Sequence, residues 1–115
     1  MSKGDYYKAK TKRWFEKQGY WCEYLERVRR VWNEKKKEPI YIKQDIAGAD
    51  GLAMNGKEII FWNSKSGRGV NILRAVKKFS EYPYPDFVKR WIIIWKERQK
   101  EPRIIEIKED LIKNT

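Results

Sequence analysis

One segment, Asp45–Lys65, constrains the fold more than any other part of the chain. It predicts a strand that carries Asp50, a tight turn at Asn55-Gly56, and a second strand over Glu58–Lys65. Asn-Gly between apolar runs is typical of a β-hairpin, because both residues tolerate positive φ. We therefore expect two antiparallel strands near the middle of the sequence.

The second strand of this hairpin ends in polar residues. Asn63 and Lys65 are two positions apart, so both side chains project from the same face of the strand. The carboxylate of Asp50 lies on the partner strand, and the three side chains could converge. A carboxylate beside an amide and an ammonium is typical of metal-dependent phosphodiesterase sites. The alternative interpretation is a solvated strand end, in which Lys65 has no role in chemistry.

Composition limits the size of the protein and its partners. The chain has 115 residues, which is enough for one domain and too few for two, so we assign residues 1–115 to a single domain. Its 27 Lys and Arg against 16 Asp and Glu give a net charge of +11. Such a charge favours an anionic partner, of which nucleic acid is the commonest and a membrane surface the competitor.

Two features argue against a membrane protein. No apolar run approaches the ~20 residues that span a bilayer, and the N-terminal segment MSKGDYYKAK lacks the apolar centre of a signal peptide. We therefore expect a cytoplasmic protein without a membrane partner.

The absence of histidine excludes several kinds of chemistry. Without it, the chain cannot form a Ser-His-Asp or Cys-His site or a histidine-containing zinc finger. Cys22 is the lone cysteine, so it has no disulfide partner within the chain, and we expect it to be a small buried residue. Phosphodiester chemistry would have to rely on Asp, Glu, Lys, Arg and Tyr with a hard cation.

Hydrophobic periodicity predicts two helices, one over Asp5–Gln18 with Gly19 as its C-cap and one from about Asn71 to Tyr82. The apolar face of the second helix should comprise Ile72, Leu73, Val76 and Phe79.

Besides the hairpin, extended segments are predicted at Tyr20–Trp32, Pro39–Gln44, Val88–Trp95 and Arg103–Ile107. Connections are predicted at Asn33–Glu38 and Lys96–Pro102. The resulting order is α, β, β, β, β, α, β, β.

In this order and in the spacing of the hairpin residues, the chain resembles the PD-(D/E)XK nucleases, in particular the archaeal-type Holliday junction resolvases. In those enzymes an Asp opens a strand, and the next strand carries Glu-x-Lys thirteen residues later; Asp50 precedes Asn63-Ser64-Lys65 at that spacing. The resemblance implies an α/β, restriction-endonuclease-like αβββαβ core with a central mixed sheet flanked by helices, and an extended N-terminal β-hairpin. It also implies a homodimeric, Mg2+-dependent endodeoxyribonuclease, with branched DNA as a candidate substrate.

The same resemblance implies roles for the hairpin residues. Asp50 would be the carboxylate that binds Mg2+ or Mn2+, and the backbone carbonyl of Ser64 would be a second ligand. Asn63 takes the position of the family's Glu and would supply a neutral oxygen, with Asp45 as an additional candidate ligand. Lys65 would position the attacking water or stabilise negative charge on the phosphate.

Basic residues outside the hairpin are the candidates for binding nucleic acid. Arg68 and Arg74 follow the second hairpin strand and would clamp neighbouring phosphates, since Arg donates two parallel hydrogen bonds. Each is also compatible with an ordinary solvated surface residue. The remaining candidates are Lys77 and Lys78 in the second helix, and Lys35, Lys36 and Lys37 in a turn.

Two departures from the family leave alternative functions open. The chain has Asn63 in place of a Glu, and the first helix lacks the family's Glu near Gly4, where Asp5, Tyr6, Tyr7 and Lys8 follow. A nuclease-fold protein that binds DNA without cutting it is therefore the alternative to an endonuclease, and a purely structural protein is a third hypothesis. Among the six Trp, most should be core, and any that are exposed could stack on unpaired bases.

Overall fold

The computed structural model describes residues 3–66, 72–96 and 98–108, and these form two helices and seven strands. The helices are α1 (Lys3–Lys17) and α2 (Ile72–Ser80). The strands are β1 (Trp21–Tyr24), β2 (Glu26–Asn33), β3 (Glu38–Asp45), β4 (Gly51–Met54), β5 (Ile59–Ser66), β6 (Lys89–Trp95) and β7 (Arg103–Glu106). The predicted α/β class is confirmed, and none of the described helices is long and apolar enough to cross a membrane.

Five of the strands form a mixed sheet in the order β1-β4-β5-β6-β7. Strands β5 and β6 are parallel, with Trp62 beside Trp91, and the other pairs are antiparallel. Parallel neighbours need a crossover connection, and α2 lies in the segment that joins β5 to β6. Strands β2 and β3 form a separate two-stranded antiparallel ribbon, which is the extended hairpin expected near the N-terminus.

The two helices cover opposite faces of the sheet, as predicted. Tyr7 and Phe15 of α1 join a buried cluster with Ile60 and Trp62 of β5. A second cluster on the other face is built from α2 and β6, and its buried members include Ala75, Val76, Phe79, Ile92 and Ile94. Because successive residues of a strand alternate between faces, β5 and β6 contribute to both clusters. The apolar run in β6 is buried over Ile92–Trp95, as its sequence predicts.

Helix α1 ends in the motif that its sequence predicts. Gly19 has a φ of 90°, and its N–H donates to the carbonyl of Glu16 at 3.1 Å, while the N–H of Tyr20 donates to that of Phe15 at 3.1 Å. This pair of bonds is a Schellman motif, and it satisfies two carbonyls at the helix end. Cys22 follows in β1; it is buried, and burial raises its pKa to about 11, so it is a neutral thiol.

The prediction of one strand over Tyr20–Trp32 is wrong. The chain breaks at Leu25, so that β1 joins the five-stranded sheet while β2 leaves it to pair with β3. Leu25 makes the break possible because its N–H donates to the carbonyl of Asp50 and its own carbonyl accepts from Ile46. Residues typical of strands continue through the segment without a turn residue, so its sequence gives no sign of this division.

The turn at Asn55-Gly56 also differs from its prediction. Neither residue has positive φ, and Met54 pairs with Ile59 across a four-residue connection. The side chain of Asn55 accounts for the difference, because its Oδ1 accepts from the N–H groups of Lys57 (2.8 Å) and Glu58 (2.9 Å). A local side-chain bond of this kind stabilises the turn without left-handed residues.

Helix α2 presents a different apolar face from the predicted one. Leu73 is 64% exposed, whereas Ala75 is buried beside Val76 and Phe79. Ala75 faces the sheet because it lies four positions from Phe79, at helical spacing. The predicted start at Asn71 and the loop Gly67–Gly69 lie outside the described residues.

Gly51 provides a test of the sheet packing. A Cβ at this position would lie 2.1 Å from Cζ2 of Trp62 and 2.8 Å from the carbonyl oxygen of Glu23. We expect Gly51→Ala to lower the free energy of unfolding by about 3 kcal/mol or more, because neither the buried indole nor the backbone can move freely. Thermal melting would measure the change. Gly56→Ala is the matched control, since its Cβ would meet nothing within 4 Å, and it should change stability by less than about 0.5 kcal/mol. Equal melting temperatures for the two variants would contradict this packing.

Candidate functional site

Asp50 lies at the point where β4 begins, and its groups connect three segments of the chain. Its N–H donates to the carbonyl of Trp62 at 2.9 Å, and its own carbonyl accepts from Leu25 at 2.9 Å. The side-chain Oδ2 accepts from the N–H of Ser64 at 2.8 Å, so it takes the place that a backbone carbonyl would have in a continued ladder. The residue is only 4% exposed, and the position of its carboxylate is therefore tightly defined.

Asn63 is held by the turn that precedes Asp50. Ala47 and Gly48 both have positive φ, 54° and 76°, and the N–H of Ala49 donates to Ile46 at 3.0 Å. These features are those of a type I′ turn. The turn directs the carbonyl of Gly48 at the Nδ2 of Asn63, which donates to it at 2.9 Å. The Oδ1 of Asn63 is buried and makes no hydrogen bond to any described residue.

Ser64 faces the opposite side of the sheet, toward α1. Its hydroxyl lies 3.2 Å from Oγ1 of Thr11, a buried residue at the centre of a small polar network. Thr11 Oγ1 also accepts from the indole N–H of Trp95 at 2.8 Å and lies 2.8 Å from the carbonyl oxygen of Tyr7. The network satisfies buried polar groups beneath the end of β5, which ties this strand to α1.

Lys65 follows Asn63 on the face of β5 that points toward α2. Phe61 on that face packs against the second cluster, and Lys65 itself is half-buried at the end of the strand. The alternation along β5 therefore has the predicted form, with Asn63 and Lys65 on one side. Asp50 stands opposite this end of the strand, since its N–H bonds to Trp62 and its carboxylate to Ser64.

Two charged residues beside Asp50 were not foreseen from the sequence. The ammonium of Lys8 lies 2.6 Å from Oε1 of Glu26 and 3.8 Å from Oδ1 of Asp50. Both carboxylates are mostly buried, with side-chain exposures of 19% for Glu26 and 6% for Asp50. Lys8 stands in the part of α1 where the resemblance would place a Glu. Glu26 could not be found from local pattern, because only the break at Leu25 brings it to this place.

The other predicted residues lie in different parts of the chain. Arg74 and Lys77 are exposed on α2, and Lys78 is half-buried there. Lys35–Lys37 are exposed in the turn between β2 and β3. Arg68 lies outside the described residues, and so does the side chain of Asp45, whose backbone pairs with Glu26 at the end of β3.

The donor atoms near Asp50 bear on whether Mg2+ or Mn2+ could bind. No group of three or more Asp, Glu or Cys side chains gathers at one point in the described parts of the chain. Two carboxylates, those of Asp50 and Glu26, do share one ammonium, and Asn63 has a buried oxygen without a hydrogen bond. Mg2+ in proteins often has one or two carboxylate ligands and keeps several waters. The two carboxylates beside Lys8 meet that minimum, provided that its ammonium gives way, whereas the amide of Asn63 lies on the face of β5 toward α2.

Comparison with known proteins concerns the fold. No protein-family model matches the chain, and no curated protein matches it. Among solved structures it is similar to Hjc, a Holliday junction resolvase from Archaeoglobus fulgidus, an archaeal hyperthermophile, with a TM-score of 0.54 and 12% identity. The similarity covers 98% of this chain and 89% of that one. The fold is restriction-endonuclease-like. It is also similar to the solved structure of SSO0001 at 15% identity, over 92% of this chain and 51% of that one, with a TM-score of 0.46.

The restriction-endonuclease-like fold confirms the predicted architecture, including the mixed sheet between two helices. At 12% identity the similarity shows the fold alone. The roles assigned to Asp50, Asn63, Ser64 and Lys65 therefore remain predictions.

The turn beside Asn63 leads to a prediction about pH. The hydroxyl of Tyr84 donates to the carbonyl of Ala47 at 2.6 Å, and burial raises the pKa of Tyr84 to about 12. The folded-state pKa is above the unfolded value of about 10. The contribution of the Tyr84 hydroxyl to the free energy of unfolding is therefore present below pH 10 and is lost as the pH rises toward 12.

We expect Tyr84→Phe to lower stability by about 1 kcal/mol at pH 8, because the Ala47 carbonyl loses its hydrogen bond. The variant should also lose less stability than the wild type between pH 9 and 12, and thermal melting across this range would measure both effects. Tyr41→Phe is the control, since Tyr41 is 69% exposed, and it should follow the wild type. A Tyr84→Phe curve parallel to that of the wild type would contradict the assignment.

Proposed function

We propose that this protein is a metal-dependent DNA endonuclease whose site is centred on Asp50. The observation that supports the proposal is the setting of this carboxylate. It is buried, it is fixed by the N–H of Ser64, and it lies at the end of the strand that carries Asn63 and Lys65. A polar group fixed in this way retains its position while a ligand binds, as a catalytic residue requires.

The residues around Asp50 have distinct roles in this proposal. Asp50 and Glu26 would hold a divalent cation, which supplies Lewis acidity and lowers the pKa of a bound water. Lys65 would donate a hydrogen bond to the negative charge that develops on the phosphate. The oxygen of Asn63 would accept from water at the site, because the amide nitrogen is already bonded to Gly48.

The charge of the chain supports DNA as the substrate. A net charge of +11 on 115 residues attracts a polyanion over long distances, and Arg74 and Lys77 of α2 are exposed for contacts with phosphates. Branched DNA is the proposed form of the substrate, because the solved structure of similar fold is that of a Holliday junction resolvase.

One observation favours a second function, binding to DNA without cleavage. The ammonium of Lys8 already neutralises Glu26 and lies close to Asp50, so it stands where a divalent cation would compensate these carboxylates. With Asn63 in place of a charged ligand, the site would then bind metal weakly. In this case the fold and the basic surface would serve to bind DNA alone.

Cleavage assays separate the two functions. Labelled duplex, single-stranded and four-way-junction DNA would be incubated with Mg2+, Mn2+ or EDTA. For an endonuclease, Asp50→Ala should abolish cleavage with little loss of binding, because it removes a buried charged ligand, and Lys65→Ala should reduce the rate more than the affinity. Asn63→Glu should lower the Mg2+ concentration needed for half-maximal rate. Efficient cleavage by Asp50→Ala would rule out the site.

The role of Lys8 can be tested in the same assay. Lys8→Met removes the competing ammonium, so it should also lower the Mg2+ requirement of an active enzyme. Lys12→Met is the matched control, since Lys12 lies one turn further along α1 and pairs with the exposed Glu23 at 3.4 Å. If the wild type and every variant bind DNA but leave it intact in both metals, the second function is the correct one.

We also propose that the protein acts as a homodimer, because two symmetric cuts in branched DNA need two sites related by a two-fold axis. The connection between α2 and β6 offers apolar surface for such an interface, with Phe87 79% exposed and Tyr82 39% exposed. Light scattering should give twice the monomer mass, and Phe87→Ser should shift the equilibrium toward monomer. A monomer mass at all concentrations, with and without DNA, would exclude symmetric cleavage.

A further inference from the structure

The ribbon formed by β2 and β3 has one face that is exposed and rich in aromatic residues. The eight paired positions from Glu26 to Asn33 extend over about 27 Å at ~3.4 Å per residue. Residues directly opposite each other in an antiparallel pair share a face, and Arg30 pairs with Tyr41 while Trp32 pairs with Pro39. Trp32 and Tyr41 are therefore diagonal neighbours on one face, with Arg30 beside them.

These side chains are open to solvent to an unusual degree. Trp32 is 55% exposed and Tyr41 is 69% exposed, and Val28 further along the same face is 64% exposed. Large aromatic side chains usually bury most of their surface, so two of them on a two-stranded ribbon form a surface suited to a ligand. On the opposite face Val31, Ile40 and Ile42 are half-buried, so the ribbon's own apolar packing lies on that side.

The charge of the ribbon indicates the kind of ligand. Residues 27–43 contain seven Lys or Arg against two Glu. Three of the lysines, Lys35–Lys37, lie in the turn at the tip, where Oδ1 of Asn33 accepts from the N–H groups of Lys35 (3.0 Å) and Lys36 (3.1 Å). A basic ribbon with exposed aromatic rings has the two components by which proteins bind single-stranded nucleic acid, a positive track for phosphates and flat surfaces for bases.

We propose that the β2–β3 ribbon binds unpaired nucleotides, with bases stacked on Trp32 and Tyr41 and phosphates contacted by Arg30 and the lysines of the tip. Paired bases offer only their edges in the grooves, whereas unpaired bases offer the flat surfaces that an indole or phenol ring can cover. The ribbon thus selects DNA with a single-stranded or open segment.

The position of the ribbon connects this surface to the candidate site. The ribbon begins at Glu26, whose carboxylate bonds to Lys8 beside Asp50, and Leu25 just before it donates to the carbonyl of Asp50. Unpaired nucleotides on the ribbon would therefore be bound by the part of the protein whose base contacts Asp50. The inference rests on the proposed DNA partner but not on cleavage, since it concerns binding alone.

Fluorescence anisotropy in EDTA would test the inference, with a labelled oligothymidylate and a labelled duplex of equal length. We expect Trp32→Leu and Tyr41→Leu each to weaken binding of the single strand about tenfold, since leucine keeps an apolar side chain but cannot stack. Binding to the duplex should change less than twofold. Trp32→Phe keeps an aromatic ring and should recover most of the affinity for the single strand.

Trp21→Leu is the matched control, because Trp21 is 54% exposed but lies in β1, outside the ribbon. It should bind both oligonucleotides as the wild type does. The inference would be overturned if the wild type and Trp32→Leu bound the single strand with equal affinity, or if the variant lost equal affinity for single strand and duplex. Either result would leave the proposal of a DNA partner unaffected. A wild type that binds neither oligonucleotide would overturn the proposed function as well. A dimer that dissociates in Trp32→Leu without any loss of DNA affinity would assign this face to a second copy of the chain instead.

Discussion

The bonds of Asp50 determine how the main parts of the structure meet. Its backbone N–H continues the ladder between β4 and β5, while its carbonyl is turned toward Leu25. The N–H of Ser64 donates to the carboxylate instead of to a backbone carbonyl of β4. Because Asp50 is buried, a polar group of this residue that lost its bond would be left unsatisfied at a cost of about 1–3 kcal/mol. One residue thus explains why β1 ends, why the ribbon begins, and why a carboxylate lies beside the polar end of β5.

Much of this fold could be predicted because its signals are local. The apolar spacing in α1, the glycine that ends it, and the apolar run of β6 each act through neighbours a few residues apart, and each prediction is confirmed. The errors have long-range or side-chain causes. The break at Leu25 depends on Asp50, which lies far away in sequence, and the turn after Met54 depends on the side chain of Asn55. Periodicity places Leu73 on the buried face because it cannot distinguish neighbouring rows of a short helix, and Leu73 is 64% exposed.

The candidate site shows the same division. The spacing of Asp50, Asn63 and Lys65 on two adjacent strands is a property of one hairpin, so the sequence is sufficient to suggest it. Lys8 and Glu26 meet Asp50 only because a helix, a ribbon and a sheet come together, and no local pattern records that meeting. In the proposed function, the ammonium of Lys8 is the feature with the largest expected effect. A carboxylate that already has a cationic neighbour has less need of a metal ion, and its chemistry depends on whether that neighbour can be displaced.

The contact between the base of the ribbon and the carboxylate of Asp50 has a mechanical consequence. A two-stranded ribbon has little stability of its own and takes its orientation from its base. At that base Glu26 holds the ammonium of Lys8, and Leu25 holds the backbone of Asp50. A tilt of the ribbon about its base would move Glu26, and with it the ammonium of Lys8, relative to Asp50. The tip of the ribbon is as far from this base as the length of about five turns of α-helix. A force on the tip would thus change the electric field at the buried carboxylate of Asp50.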